Sequence, residues 1–282
     1  MNVDPPALQS RHGKTHHRVG SYIVSNALLS GIPRRRVGSL DFSVLPLAAA
    51  VDLVVRLGIE PPALGTAVHF ANAYNIALAD TDPMYQELVN GGDLVFSDGT
   101  PIVWAGRRFH PGDAGRWTRV YGPDLMTGVL AKSTSAGPRH YLLGSTPEVL
   151  DLLTQQIQMR WPNALIVGSD SPPFRVPADI DLAERDKRIK ESGATCVWVG
   201  LGTPKQDVEV RRLASALPVT ALAVGAAFDF LAGTTQQAPE WMQRSGLEWS
   251  YRLAKEPRRL AHRYLWGNPR FIYAIARQRT SR

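Results

Sequence analysis

Three short segments carry the residue types and spacings that suit chemistry. Asp98-Gly99 follows the apolar run Asp93–Phe96 through Ser97. A carboxylate there stands at the carboxyl end of a strand, where open α/β sheets build their sites. It can take a proton from a hydroxyl held beside it. An Asp-Gly turn uses the same two residues, and spacing alone does not separate these readings. Asn72 lies just past the run Thr66–Phe70. Its amide suits a sugar hydroxyl or acetamido group, and equally a turn or helix cap; Asn75 poses the same choice. In the third segment, the β-branched run Ala194–Gly200 passes through Gly202 into Thr203-Pro204-Lys205-Gln206. A strand that runs through a glycine turn into a helix start is where α/β folds bind phosphorylated ligands. Thr203 fits an N-cap and Pro204 the first helical position, with free N–H groups offered to an anion. Lys205 suits a phosphate contact, and equally a solvated surface position. Thr203-x-x-Gln206 is also a capping-box pattern, in which the amide simply closes the helix.

Metal and redox cofactors find little support. Asp80-Thr-Asp82 and Asp179-Ile-Asp181 resemble metal-holding triplets, but neither directly follows a buried strand. Both read as helix-start residues. Gly200-x-Gly202 has Lys205 where a dinucleotide fingerprint has its third glycine, so NAD binding is weakly supported. No metal and no cofactor is expected.

The elements that position these residues alternate. Helical spacing covers 46–57 and 73–89, with a break at Asp82-Pro83. Strands are expected at Thr66–Phe70, Asp93–Phe96, His140–Gly144, Ala164–Gly168, Ala194–Gly200 and Val219–Gly225. Helices follow from Thr146-Pro147, near 180–191 and from Pro204. The pattern predicts an α/β, Rossmann-like, mostly parallel sheet with helices on both faces, plus a C-terminal helical basic appendage. Residues 1–38 read as a flexible arm whose His12, His16 and His17 belong to a solvated tail. Residues 39–245 read as the α/β domain, and 246–282 as the appendage. The appendage is expected as three helices, with a break at Gly267-Asn268-Pro269.

Composition narrows the classes. The 282 residues carry a net charge of +7, concentrated at the C-terminus: residues 244–282 hold ten Arg and Lys against Glu248 and Glu256. Aromatic and aliphatic residues interleave with those arginines, as in helices that lie on an anionic membrane surface. A basic-tailed, non-catalytic nucleic-acid binder is the alternative for this tail, and an NAD(P)-dependent oxidoreductase the alternative for the sheet. The single cysteine, Cys196, sits in an apolar strand and reads as a small buried hydrophobe. No signal-peptide core and no membrane-spanning run are present, which predicts a cytoplasmic location. Homo-oligomerisation is left open.

Taken in order, the motifs resemble the WecG/TagA/CpsF glycosyltransferase family, which includes N-acetylmannosaminyltransferases of wall teichoic acid and enterobacterial common antigen assembly. The matching pieces are Asn72-Ala-Tyr-Asn75, Asp98-Gly99, Gly122-x-Asp124-Leu125 and Tyr141-Leu-Leu-Gly144-Ser145. They continue with Gly200-Leu-Gly202-Thr-Pro-Lys205-Gln206-Asp207, Phe228-Asp-Phe230, Ala238-Pro-Glu-Trp241, Leu247-Glu-Trp249 and Glu256-Pro-Arg-Arg259. The resemblance implies inverting, metal-independent transfer of a hexose or N-acetylhexosamine from a UDP-sugar to a polyprenyl-diphosphate-linked acceptor. That acceptor belongs to cell-surface polysaccharide synthesis, on the inner face of a bacterial plasma membrane, with no nucleic-acid partner. It implies Asp98 as catalytic base, and Asn72 and Gln206 as substrate-binding residues; Gly144, Gly200, Gly202 and Lys205 are taken beside them as substrate-binding candidates. Arg252, Arg259 and Arg263 of the appendage would meet the diphosphate. Three positions depart from the family pattern: Phe70 replaces a threonine, Asp207 a glutamate and Gln237 an arginine.

Overall fold

The computed structural model describes residues 27–280 except Phe174 and Val176. His12, His16 and His17 therefore lie outside the described residues. The end predicted for the arm falls within ordered chain, where β1 (Arg34–Val37) pairs antiparallel with β2 (Leu40–Ser43). Val37, Leu40 and Phe42 are buried in this hairpin. So short an apolar set is masked in the sequence by the arginines around it.

The chain continues as α1 (Leu47–Ile59), β3 (Thr66–Ala71), α2 (Ala73–Thr81), α3 (Pro83–Asn90), β4 (Leu94–Ser97), α4 (Thr100–Phe109) and α5 (Gly122–Lys132). Then come β5 (Arg139–Gly144), α6 (Pro147–Arg160), β6 (Leu165–Asp170), α7 (Asp179–Glu191), β7 (Cys196–Gly200), α8 (Lys205–Ala216) and β8 (Thr220–Leu222). Three short helices, α9 (Ala227–Ala232), α10 (Glu240–Arg244) and α11 (Glu248–Lys255), lead into the long α12 (Pro257–Thr280).

Six strands form one all-parallel sheet in the order β4-β3-β8-β7-β5-β6. Both faces are covered, which is why the inner strands read as continuous apolar runs. Val68, Phe70, Leu142, Trp198 and Leu222 pack under α1, α5, α6 and α9. Their neighbours Leu143, Val197, Val199 and Ala221 pack under α7 and α8. The chain leaves β5 for the outer strand β6, then returns to the other side of β5 as β7. Open α/β sheets form their ligand crevice at such a reversal, which here falls at the carboxyl ends of β5 and β7. Gly144 ends β5 there with φ of 126°, and a Cβ on it would come within 2.5 Å of the Gly200 carbonyl oxygen. Only glycine allows that approach.

Two buried groups on the first face, Cys196 and His140, are titratable. Burial pushes the Cys196 thiol up to about 12, so it stays a neutral, unreactive side chain. His140 accepts from Trp198 Nε1 at its Nδ1 (3.1 Å), which leaves the proton on Nε2, 2.9 Å from Ser133 Oγ. Burial lowers the His140 pKa from 6.5 to about 4. The unfolded chain therefore takes up a proton between those values that the folded chain refuses. The associated stability is fully present above pH 6.5 and is lost as pH falls toward 4, by on the order of 3 kcal/mol. A His140→Gln variant should lose less melting temperature than wild type between about pH 7 and about pH 4.5 in scanning calorimetry.

The appendage differs from expectation. Instead of breaking at Gly267-Asn268-Pro269, α12 runs through Pro269 without interruption. It packs along α2, with Leu260 and Ala274 buried and Gly267 against the ring of Tyr74. Its far end is tied down: Gln278 Oε1 accepts from the Gly38 N–H (2.6 Å), and Arg277 pairs with Asp80 (2.6 Å). Tertiary docking on one face outweighs the local penalty of an interior proline.

Candidate functional site

A cleft of about 470 Å³ opens where the carboxyl ends of β3 and β4 meet α10, α11 and α12. Asn72, Asp98, Arg252 and Arg263 all line it, so four of the expected site residues converge from three parts of the chain.

Asp98 sits one residue past β4. Its Oδ1 accepts from the Gly122 N–H at the start of α5 (3.1 Å), and Asn72 Nδ2 approaches Oδ2 at 3.4 Å. Burial pushes the Asp98 carboxyl above its usual value. Glu248 adds to the rise, while Arg119, the Gly122 N–H and Asn72 oppose it. The result is a desolvated carboxylate aimed into a cavity rather than a solvated turn residue.

Asn72 serves both readings. Its Oδ1 accepts from the Tyr74 N–H (3.0 Å) and caps α2, which frees its Nδ2 to face Asp98. Asn75, by contrast, is buried and structural. It accepts from the Asn72 N–H (3.1 Å), and its Nδ2 donates to Tyr85 Oη (2.7 Å). Tyr85 in turn donates to Asp207 Oδ2 (3.0 Å), and Asp207 Oδ1 lies 3.0 Å from His69 Nδ1. Burial, then the charge of Asp207, drives the Tyr85 pKa far up and keeps its hydroxyl a donor. This chain of bonds ties the Asn72 corner to the first turn of α8.

That first turn differs from the capping expectation. The helix starts at Lys205, with Pro204 in the N-cap place and no side-chain cap. The N–H groups of Gln206 and Asp207 already donate to the Gly202 and Pro204 carbonyls (both 3.0 Å), so few remain for an anion. Gln206 is buried. Its Oε1 accepts from the Gly202 N–H (3.0 Å), and its Nε2 donates to the Ala223 carbonyl (2.9 Å). The amide locks the glycine turn to the end of β8. Gly144 and Gly200 end β5 and β7 at the sheet's reversal, Gly202 follows in the turn, and Lys205 is exposed beside them. Gly200 and Asp98 are three strand spacings apart, about 14 Å.

The two appendage arginines differ in surroundings. Arg263 lies over the Tyr74 ring at 4.6 Å, and its Nε is buried without a hydrogen-bond partner among the described residues. Burial pulls its pKa below the ordinary arginine value, and Arg252 adds to that pull. Arg252 packs 5.7 Å from the Phe230 ring. Arg259 lies in the first turn of α12, with its side chain outside what is described.

Sequence reasoning missed Arg119, Gln243 and Glu248. Arg119 donates from Nε to the Asp98 carbonyl (2.9 Å) and from Nη1 to Gln243 Oε1 (2.8 Å), and Nη2 is ion-paired with Glu248. Tyr121 Oη donates to the other Glu248 oxygen (3.0 Å). One guanidinium thus joins the backbone of Asp98 to the first residue of α11. The only sequence hints were the neighbouring motifs Gly122-x-Asp124 and Leu247-Glu-Trp249. Three of the four Asp-x-Asp residues have structural partners: Asp82 caps α3, Asp80 meets Ser39 and Arg277, and Asp181 pairs with Arg175.

Fold and cleft define a doubly wound α/β protein with its cleft outside the carboxyl ends of β3 and β4, where proteins of this class place their sites. The profile of the Glycosyl transferase WecG/TagA/CpsF family matches residues 35–282, nearly the whole chain; the protein belongs to that family and is a glycosyltransferase. Membership supports the transferase reading over an oxidoreductase or a nucleic-acid binder.

Proposed function

We propose that this glycosyltransferase moves a hexose or N-acetylhexosamine from a UDP-sugar to a polyprenyl-diphosphate-linked acceptor by one inverting displacement. The observation that carries the reading is Asp98, a desolvated carboxylate in a cleft shared with Arg252 and Arg263. The donor diphosphate lies along the Gly144–Gly200–Gly202 crevice near Lys205. The acceptor hydroxyl sits beside Asp98, positioned by Asn72. Asp98 accepts its proton as the oxygen attacks the anomeric carbon, and UDP departs from the opposite face. Charge on the phosphates is met by Lys205, Arg252 and Arg263, whose planar guanidinium groups suit paired phosphate oxygens. No step in this scheme uses a metal.

A lipid-linked acceptor also accounts for the outer side of α12. Leu265 and Tyr273 are exposed opposite the docked face, with Arg258 and Arg270 exposed on the same helix. No helix among the described residues is long and apolar enough to cross a membrane. Such a helix holds the enzyme to the inner leaflet of a bacterial plasma membrane, at about 1 kcal/mol for each basic residue near the surface.

The test is a panel of UDP-sugars offered with a short-chain prenyl-diphosphate glycan in excess EDTA. A glycosylated product is expected at the same rate with and without chelator. Product that forms only when a divalent cation is restored would refute metal independence. No product from any UDP-sugar would refute the donor class.

A further inference from the structure

A second cavity, of about 510 Å³, adjoins the first; Thr100, Arg119 and Gln243 line both. Its other walls come from α4, the start of α5 and α10. Trp104 forms one wall and is 52% exposed, a large aromatic surface left open beside a catalytic cleft. Gly246 lies against the far edge of that indole, where a Cβ would come within 3.1 Å of the ring. The ring is thus held in place while remaining half open.

The charges around this cavity are mostly engaged. Arg119 is paired with Glu248, and Arg244 with Glu240 at 2.8 Å. Arg107 donates from Nε (3.0 Å) and Nη2 (2.8 Å) to the Trp117 carbonyl. Asp124 differs: its carboxylate has no hydrogen bond among the described residues. Gln237 and Glu240 complete the polar side.

These walls select by chemistry. An anion would face the Asp124 and Glu240 carboxylates, and would find Arg119 and Arg107 already bonded within the protein. An apolar ligand would strip water from that carboxylate with nothing in return. A neutral polyol fits both requirements. A pyranose presents a C–H face to an indole, hydroxyls that donate to Asp124 and Glu240, and oxygens that accept from Gln237. We propose that this cavity is a saccharide subsite, holding a sugar of the acceptor glycan remote from the hydroxyl that reacts. Continuity with the main cleft through three shared residues assigns the sugar to the acceptor rather than to an unattached glycan. The inference rests on the transferase reading given above.

The test uses the full-length protein and saturation-transfer NMR, with three free disaccharides (chitobiose, maltose and lactose) as probes and UDP as a parallel probe. At least one disaccharide should bind wild type and Asp98→Asn. Binding should weaken by about tenfold or more in Trp104→Leu, which keeps apolar bulk but removes the aromatic face, and also in Asp124→Asn. UDP binding in both variants reports that they are folded. Absence of UDP binding in wild type would refute the donor reading and leave the sugar result standing on its own. Failure of all three disaccharides to bind wild type, undiminished binding in Trp104→Leu, or displacement of sugar by inorganic phosphate would each overturn the subsite. A transfer assay then separates the two sources of sugar. With a disaccharide-bearing prenyl diphosphate, KM should rise about tenfold in Trp104→Leu. An unchanged KM would overturn the assignment to the acceptor.

Discussion

Asp98→Asn is expected to lower turnover by about 10²- to 10⁴-fold, the usual contribution of a positioned general base. The variant should still bind UDP and should melt no lower than wild type. The stability half of this expectation follows from the sign of the pKa shift. The folded carboxyl is raised above its unfolded value, so ionised Asp98 opposes folding at every pH above both values. The amide removes that burden and still accepts from the Gly122 N–H through its oxygen. The same shift places the acid limb of kcat/KM above the usual carboxylate value of 3.8, because the base must be ionised to act. Near-wild-type transfer by Asp98→Asn would remove it as the base. A large loss of melting temperature would instead give Asp98 a structural role.

Arg263→Gln should cost about 10²-fold in kcat/KM, the scale for removing one preorganised group that meets developing charge. Its thermal behaviour discriminates more sharply. The wild-type guanidinium is largely desolvated, and its Nε lacks a partner among the described residues. Removing it relieves a buried charge of several kcal/mol while losing a desolvated ring contact worth about 2 kcal/mol, so the ligand-free variant should melt no lower than wild type. If Arg263 meets a diphosphate as proposed, that ligand supplies the missing partner in wild type only. Saturating UDP should therefore raise the wild-type melting temperature more than that of Arg263→Gln. Equal shifts in both proteins would place Arg263 away from the diphosphate. If a prenyl diphosphate shifts wild type more than UDP does, Arg263 belongs to the acceptor side.

The sheet was legible because its inner strands are buried on both faces and bounded by turn residues. Ala194–Gly200 and Thr66–Phe70 read as strands without help from the rest of the chain. Asp82 and Thr146 announced their helices because an N-cap is a local device. What escaped reading is what long-range packing decides. Arg119 and Glu248 are 129 residues apart, and no local period marks an ion pair of that kind. The continuity of α12 through Pro269 is set by α2, which local propensity does not register. Gln206 shows a different limit. The capping pattern correctly suggested that its amide closes onto backbone, yet the bond goes to Gly202 rather than Thr203, and the second bond to Ala223 had no local signal. Asp98 was readable only as a choice between turn and base. The surrounding cleft, built partly from residues 240–272, supplies the environment that makes it a desolvated carboxylate.

The proposed displacement makes one demand that none of these variants addresses directly. A single attack with Asp98 as base must invert the anomeric centre. The most direct measurement is therefore the proton NMR coupling constant at the anomeric carbon of product formed from an α-linked UDP-sugar. A β-linked product is the result expected here. An α-linked product would contradict the account, because retention requires a second displacement or a front-face attack in which Asp98 has no place as the base.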